Sequence, residues 1–479
     1  MLFNSLQFLL FFPVVTALYF ALPHRGRTPL LLAASCVFYM AFVPAYIAIL
    51  AFTIVVDYLA GLGIERAEGR ARRWLLAASV VANVGVLAVF KYYGFLTANL
   101  TALGHALGLA PTFPALRMLL PIGLSFHTFQ AMSYTIEVYR GAQRAERNFL
   151  TYALYVMFYP QLVAGPIERP QNLLHQFREE HRFEYARVRD GLTRMAVGMF
   201  KKVAIADTLA AQVNRVYDHP TAYRGLPLLL ATVFFAFQIY WDFSGYSDIA
   251  LGSAEVMGFR LMENFRTPYF ARSVGEFWRR WHVSLSTWFK DYVYIPLGGS
   301  RTTTAKHYRN LLAVFALSGL WHGASWNFVI WGALHGTYLV LGDASRGVRD
   351  GVLRRLGLDR DGRAARLGGT LATFALVTVA WVFFRAATPG EAWYVVTHLL
   401  APGAFADRQM VRAFAACAVL IVGAVAAEYA SARRSDGLVT TRVVFRLPAP
   451  LRYAVYYVLV YGAAVAARAD APRFIYFQF

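Results

Sequence analysis

Apolar residues run along this chain in long blocks separated by short, mostly basic interruptions. Such blocks, too long and too uniformly apolar for half-buried strands, predict membrane helices. They cover Phe8 to Leu22, Leu30 to Phe42, Tyr46 to Leu62, Trp74 to about Tyr93, Met118 to Tyr139, Leu226 to Tyr240, Leu311 to Leu341, Thr370 to Phe384, Phe414 to Ala427 and Tyr453 to Ala467. Val43, Pro44 and Ala45 predict a tight turn between the second and third blocks. Thr97 to Arg117, poor in charge and rich in Gly, Pro and Thr, predicts an external loop. Tyr152 to Ile167 is apolar, but Pro160, Gly165 and Pro166 break it, with Pro170 following, which predicts a re-entrant or interfacial segment. Met195 to Phe200 is a short patch that Lys201 and Lys202 cut off, and Asp242 and Asp248 follow the Leu226 to Tyr240 block as if a helix ended there.

Composition agrees with the pattern. The 479 residues are 58% hydrophobic and only 15% charged, more apolar surface than one soluble core absorbs. The net charge of +20 sits in clusters between blocks, at Glu65 to Arg73, Arg140 to Arg147 and Arg346 to Arg366, where it orients membrane segments rather than binding nucleic acid. Tracking those clusters inside predicts roughly eleven to thirteen transmembrane or re-entrant helices and both termini outside. Nothing basic precedes Phe8, whereas Arg25 and Arg27 follow the first block, so it reads as an uncleaved helix rather than a signal peptide. The expected class is therefore all-α and polytopic, one integral membrane domain over residues 1–479. Cys36 and Cys417 both lie in apolar runs, which indicates neither a disulfide framework nor a thiolate metal site.

The stretch Glu276 to Gly336 holds six of the ten tryptophans and His282, His307, His322 and His335. From Leu311 to Leu341 no Asp, Glu, Lys or Arg occurs. A helix of those 31 residues would be ~46 Å long, against a hydrocarbon core of ~30 Å. A break is expected at Gly319 to Gly323 or at Gly332 to Gly336, which puts His322 at a helix irregularity between Trp321 and Trp326. Desolvation keeps such an imidazole neutral and able to accept a proton, which suits a general base acting on a hydroxyl. A histidine bonded to a carbonyl at the interface fits the same residues. His127 and His335 read as packing or interface residues, and His307 lies in a polar loop.

Arg279, Arg280 and Lys290 are mixed with Trp278, Trp281 and Trp288, as in an amphipathic helix at the headgroup level. Read alone, these cations favour anchoring to membrane lipid, and they also suit the phosphates of a donor such as an acyl-coenzyme A. Asp242 and Asp248, interleaved with Ser244 and Tyr246, fit a capped helix end or a cavity lining. HExxH, GxxxxGK[ST] and paired-cysteine patterns do not occur, and no metal site is expected.

Longer blocks carry a resemblance. YWDFSGYSDIALGSAEVMGF, ENFRTPYFARSVGEFWRRWHVSLSTWFKDYVYIPLGG and LSGLWHGASWNFVIWGALHG, together with MLFNSLQFLLFFPVV, AGPIERP, KKVAIADTLA and AWVFFRA, resemble the membrane-bound O-acyltransferase family. The branch is the bacterial one that includes the alginate O-acetylation membrane protein. The likeness runs from Met1 to about Arg385, densest over about residues 120–345. It implies a multi-helix acyltransferase of the inner membrane with a tunnel through the bilayer, catalytic at His322 with His282 as the second active-site position. It further implies acetyl-coenzyme A as donor near Trp278, Arg279, Arg280, Trp281 and Lys290, and no bound cofactor. The tunnel lining would include Asp242, Ser244, Tyr246, Asp248, Trp321, Trp326 and Asn327. The acceptor would be an extracytoplasmic polysaccharide such as alginate, reached through a periplasmic acetyltransferase partner of the SGNH-hydrolase-like kind. A transporter or flippase, or a noncatalytic scaffold of polysaccharide export, is the rival expectation from the broken helices alone.

Overall fold

A computed structural model describes residues 1–109, 111–114, 121–163, 165–432, 442–467 and 474–475. Among these the regular structure is helical throughout. In order the helices are α1 (Leu6–Ala21), α2 (His24–Met40), α3 (Ile47–Arg66), α4 (Gly69–Leu87), α5 (Tyr93–Ala106), α6 (Leu124–Arg140), α7 (Phe149–Met157), α8 (Tyr159–Leu162), α9 (Pro170–Leu173), α10 (Tyr185–Met199) and α11 (Asp207–Tyr217). They continue with α12 (Leu226–Met257), α13 (Val274–Arg280), α14 (Val283–Phe289), α15 (Thr304–His322), α16 (Trp326–Ala344), α17 (Arg346–Arg355), α18 (Arg363–Arg385), α19 (Pro389–His398), α20 (Arg408–Ala432), α21 (Arg442–Phe445) and α22 (Ala449–Ala466). Among the described residues six helical stretches are long and apolar enough to cross a bilayer: Pro44–Arg66, Gly69–Ala106, Leu226–Met257, Arg363–Arg385, Arg408–Ala432 and Ala449–Ala466. The chain is a polytopic all-α membrane protein.

It folds into two compact units, the first of Met1–Met195 with Tyr246–Met262, the second of Ala196–Gly245 with Glu263–Phe479. In the first, α3, α4 and α6 pack around a polar seam. Asp57 is fully buried, and its carboxylate accepts from Ser79 Oγ at 2.6 Å and from Asn83 Nδ2 at 2.8 Å. The carboxylate on α3 is thus met by neutral groups on α4, and α6 joins the seam through Ser79, which meets Thr135 Oγ1 at 3.0 Å. One turn earlier on α3, Thr53 Oγ1 meets His127 Nε2 at 2.6 Å. The segment broken by Pro160 is buried and interrupted at Phe158, between α7 and α8; Ala164 lies outside the described residues.

Four expectations about elements change. The helix begun at Gly69 does not stop before Thr97 but passes through a π turn at Ala88–Tyr92 and continues to Ala106. The rest of that loop, and the start of the Met118 block, lie partly outside the described residues. Lys201 and Lys202 do not end a helix either. They sit in a π segment, Phe200–Ala206, that joins α10 to α11, where Lys202 pairs with Asp207 and with Asp242 at 2.7 Å each. These paired charges are buried, so they cost less to carry inward than an isolated ammonium. Asp242 therefore caps no helix end, because α12 runs on for 32 residues through it. Finally, the tryptophan-rich stretch is not one surface helix. It breaks at Trp281 and His282 into α13 and α14, with Trp278, Trp281 and Trp288 turned into the protein.

Candidate active site

In the second unit a glycine-lined hairpin carries the buried histidines His322 and His335. α15 ends at His322, and α16 starts at Trp326 after Gly323, Ala324 and Ser325. The two backbones touch at Gly319 and Gly332, where a Cβ would collide with the carbonyl oxygens of Phe328 and Phe315 respectively. That contact holds the end of α15 inside the unit, and His322 is 4% exposed. Aromatic rings enclose it: Trp321 and Trp331 each lie 4.9 Å away edge-on, and Phe384 of α18 lies 5.4 Å away.

His282 is held by a different device. It occupies the break between α13 and α14 with φ 42° and ψ 56°, a left-handed conformation that costs a β-carbon-bearing residue energy and marks candidate functional positions. Backbone bonds from Val283 N–H to Asn264 O (3.0 Å) and from Arg266 N–H to Arg280 O (2.9 Å) clamp the break against the preceding loop. Asn264 Oδ1 accepts from Ser284 Oγ at 2.7 Å and lies 3.3 Å from His282 Nδ1. An amide oxygen only accepts, so Nδ1 carries the hydrogen and Nε2 the lone pair. This segment lies outside the six candidate spans, and burial pushes the His282 pKa down to about 3, so the ring is neutral at ordinary pH. Its ring packs edge-on against Phe243 at 4.7 Å and lies 6.2 Å from Trp321, which therefore touches both histidines.

The other sequence candidates divide. Trp278 donates its indole N–H to His335 Nδ1 at 3.2 Å, and Trp281 stacks on Phe277 and meets Trp381 at a tilt with centroids 5.0 Å apart, so both rings are structural neighbours of the histidine cluster. Arg279 and Lys290 are exposed, and Arg280 pairs with Glu276 at 2.6 Å. Trp321 and Asn327 are buried, whereas Trp326 is 54% exposed. Asp242 is engaged twice, by Lys202 and by the backbone N–H of Ile475 at 2.8 Å, and Ser244, two residues on along α12, is buried. Tyr246 and Asp248 belong to the first unit, where Tyr246 packs on Phe3 and Asp248 pairs with Arg194 at 3.1 Å. Among the described residues no three His, Cys, Asp or Glu side chains converge as metal ligands do.

Sequence reading missed Asn264, Ser284, Trp331, Trp381 and Phe384. Nothing local flags Asn264, which precedes its histidine by eighteen positions, but Trp331 and His335 share a helix face at i and i+4 with Asn327 one turn before them.

Comparison with known proteins gives these two histidines a context. The model of the membrane-bound O-acyltransferase family matches residues 140–352, a span that contains both. The chain is 43% identical over 398 residues to the probable alginate O-acetylase of Azotobacter vinelandii, covering 82% of this chain and 77% of that protein. The chain belongs to the membrane-bound O-acyltransferase family. Other members of the family are similar across most of their length. The probable alginate O-acetylase of Pseudomonas aeruginosa is 41% identical over 86% of this chain and 77% of its own. The peptidoglycan O-acetyltransferase of Helicobacter pylori is 35% identical over 81% and 77%. As a member of this family the protein is a membrane-bound acyltransferase, and the transporter and scaffold readings fall away.

Proposed function

We propose that this acyltransferase carries an acetyl group from cytoplasmic acetyl-coenzyme A across the inner membrane for O-acetylation of an extracytoplasmic polysaccharide of the alginate type, with His322 as general base and His282 as its companion. The observation that carries the reading is the setting of His322: a buried imidazole at the broken end of α15, ringed by aromatic edges. In water-poor surroundings a neutral imidazole gains most by taking a proton as charge develops. The acceptor hydroxyl gives its proton to His322 while its oxygen bonds to the acyl carbon. The carbon–sulfur bond then breaks, and the thiolate takes the proton back from the imidazolium. His282, neutral and fixed by Asn264, presents a lone pair at Nε2 that accepts the hydroxyl's hydrogen bond while the acceptor docks, before the O–H turns to His322 and gives up its proton. Exposed Arg279 and Lys290 supply cations for the phosphates of the donor, while buried Trp278 and Trp281 shape the wall behind them. Asp242, Ser244, Trp321 and Asn327 are the lining residues of this unit, and a soluble SGNH-like acetyltransferase outside the membrane completes transfer. What supports an alginate-type acceptor is the similarity to the two probable alginate O-acetylases named above, each over 40% identical.

The test is transfer of radiolabelled acetyl from acetyl-coenzyme A in membranes carrying the wild type or His322→Ala, with alginate and a candidate soluble partner added. Label reaching polysaccharide or partner with the wild type and falling by at least about 10³-fold in the variant is the expected result. Equal labelling with both would remove His322 from the mechanism.

A further inference from the structure

Two N–H groups on α16 are buried near His322 without an acceptor among the described residues. One is the indole Nε1 of Trp331, whose ring is fully buried and meets His322 edge-on at 4.9 Å. The other belongs to His335, also fully buried. Trp278 donates its indole N–H to His335 Nδ1, and an indole nitrogen can only donate, so Nδ1 must be the bare nitrogen of a neutral ring. The hydrogen is then on Nε2, and that atom too has no partner among the described residues. The two rings lie 4.8 Å apart, four positions along one helix face. Folded proteins leave few buried polar groups unsatisfied, and those that persist call for an explanation such as a catalytic role.

We infer that Trp331 and His335 are hydrogen-bond donors to the acyl carbonyl oxygen during transfer. This rests on the reading of His322 as the base. Of the reacting atoms, the carbonyl oxygen alone needs donors without offering a hydrogen. The acceptor hydroxyl gives its own hydrogen to His322, and sulfur is a weak acceptor. As the hydroxyl oxygen adds to the acyl carbon, the C=O π pair moves onto oxygen, and two neutral N–H groups fixed by packing meet the charge as it forms. When the carbon–sulfur bond breaks, that pair returns to the carbonyl, and sulfur leaves with the bonding electrons to be protonated from His322. His335 is thereby given a use that sequence reading, which placed it among packing or interface residues, did not.

The experiment compares Trp331→Phe with wild type in membranes, varying radiolabelled acetyl-coenzyme A, with thermal midpoints measured on the purified full chain. Phenylalanine keeps an aromatic ring and removes the N–H. The expected outcome is a fall in kcat of about 10²-fold with KM within about twofold and a thermal midpoint that does not drop. His335→Gln, which keeps an acceptor for Trp278 and an N–H, is expected to retain more activity than His335→Leu, which loses both. A kcat for Trp331→Phe within about twofold of wild type, or a loss that tracks a lowered midpoint, overturns the proposal. His322→Ala run in parallel separates the two readings. If it is inactive while Trp331→Phe is fully active, only the donor assignment fails; if it is itself active, the base reading fails and the donors with it.

Discussion

His282 shows how much of a site can be written in one residue's backbone. A left-handed conformation at a residue with a β-carbon costs roughly 1–2 kcal/mol, whereas asparagine adopts it readily. His282→Asn is therefore expected to be more stable than His282→Ala by about 1 kcal/mol, with acyl transfer lost in both. Thermal midpoints in detergent and the labelling assay check the two halves separately. The same residue makes a pH prediction. Its ordinary value of 6.5 is lowered in the fold to about 3 by burial, so the unfolded chain binds the extra proton between those values. Its contribution to stability is complete above about pH 6.5 and is lost as pH falls below it. Wild type should lose more of its midpoint than His282→Asn between pH 7.5 and about pH 5; parallel losses would mean that the imidazole is already solvated. The enclosed setting of His322 could be anticipated from sequence, because a titratable residue in an uncharged run is conspicuous. The clamp on His282 could not, since Asn264 and Ser284 acquire their meaning only when two loops meet.

At the level of elements, the glycines of the α15–α16 hairpin do unequal work. Gly332 faces the Phe315 carbonyl, and Gly319 faces that of Phe328, so any side chain there must push the helices apart. Gly332→Val should cost about 3 kcal/mol and abolish transfer by releasing the end of α15 that carries His322. Gly342, near the end of the same helix, has open space around its missing Cβ, and Gly342→Ala should leave activity intact while gaining up to about 1 kcal/mol from helix propensity. A midpoint series across the two variants decides the matter. Hydropathy located this hairpin and its break, because length against bilayer thickness forces a break somewhere in Leu311 to Leu341. Hydropathy misled where charge is paired in space. Lys201 and Lys202 read as a stop, and Asp242 as a helix end, yet Lys202 and Asp242 neutralise each other inside the unit.

For the molecule as a whole, the Lys202, Asp207 and Asp242 triad joins the π segment, the start of α11 and the middle of α12. Lys202→Met leaves two carboxylates without their cation and should destabilise the fold by about 3–5 kcal/mol, with much of the loss recovered when both aspartates are also made asparagine. Unfolding of the single and triple variants in detergent tests this. The polar seam of α3, α4 and α6 carries a consequence for biosynthesis. A lone aspartate near the centre of a membrane helix costs about 3 kcal/mol to insert. Asp57 leaves the ribosome first, and its partners Ser79 and Asn83 follow 22 and 26 residues later on the next helix. α3 thus enters lipid at least expense when it waits for α4 and the two insert as a hairpin, so the order of synthesis is also the order in which the carboxylate finds its donors.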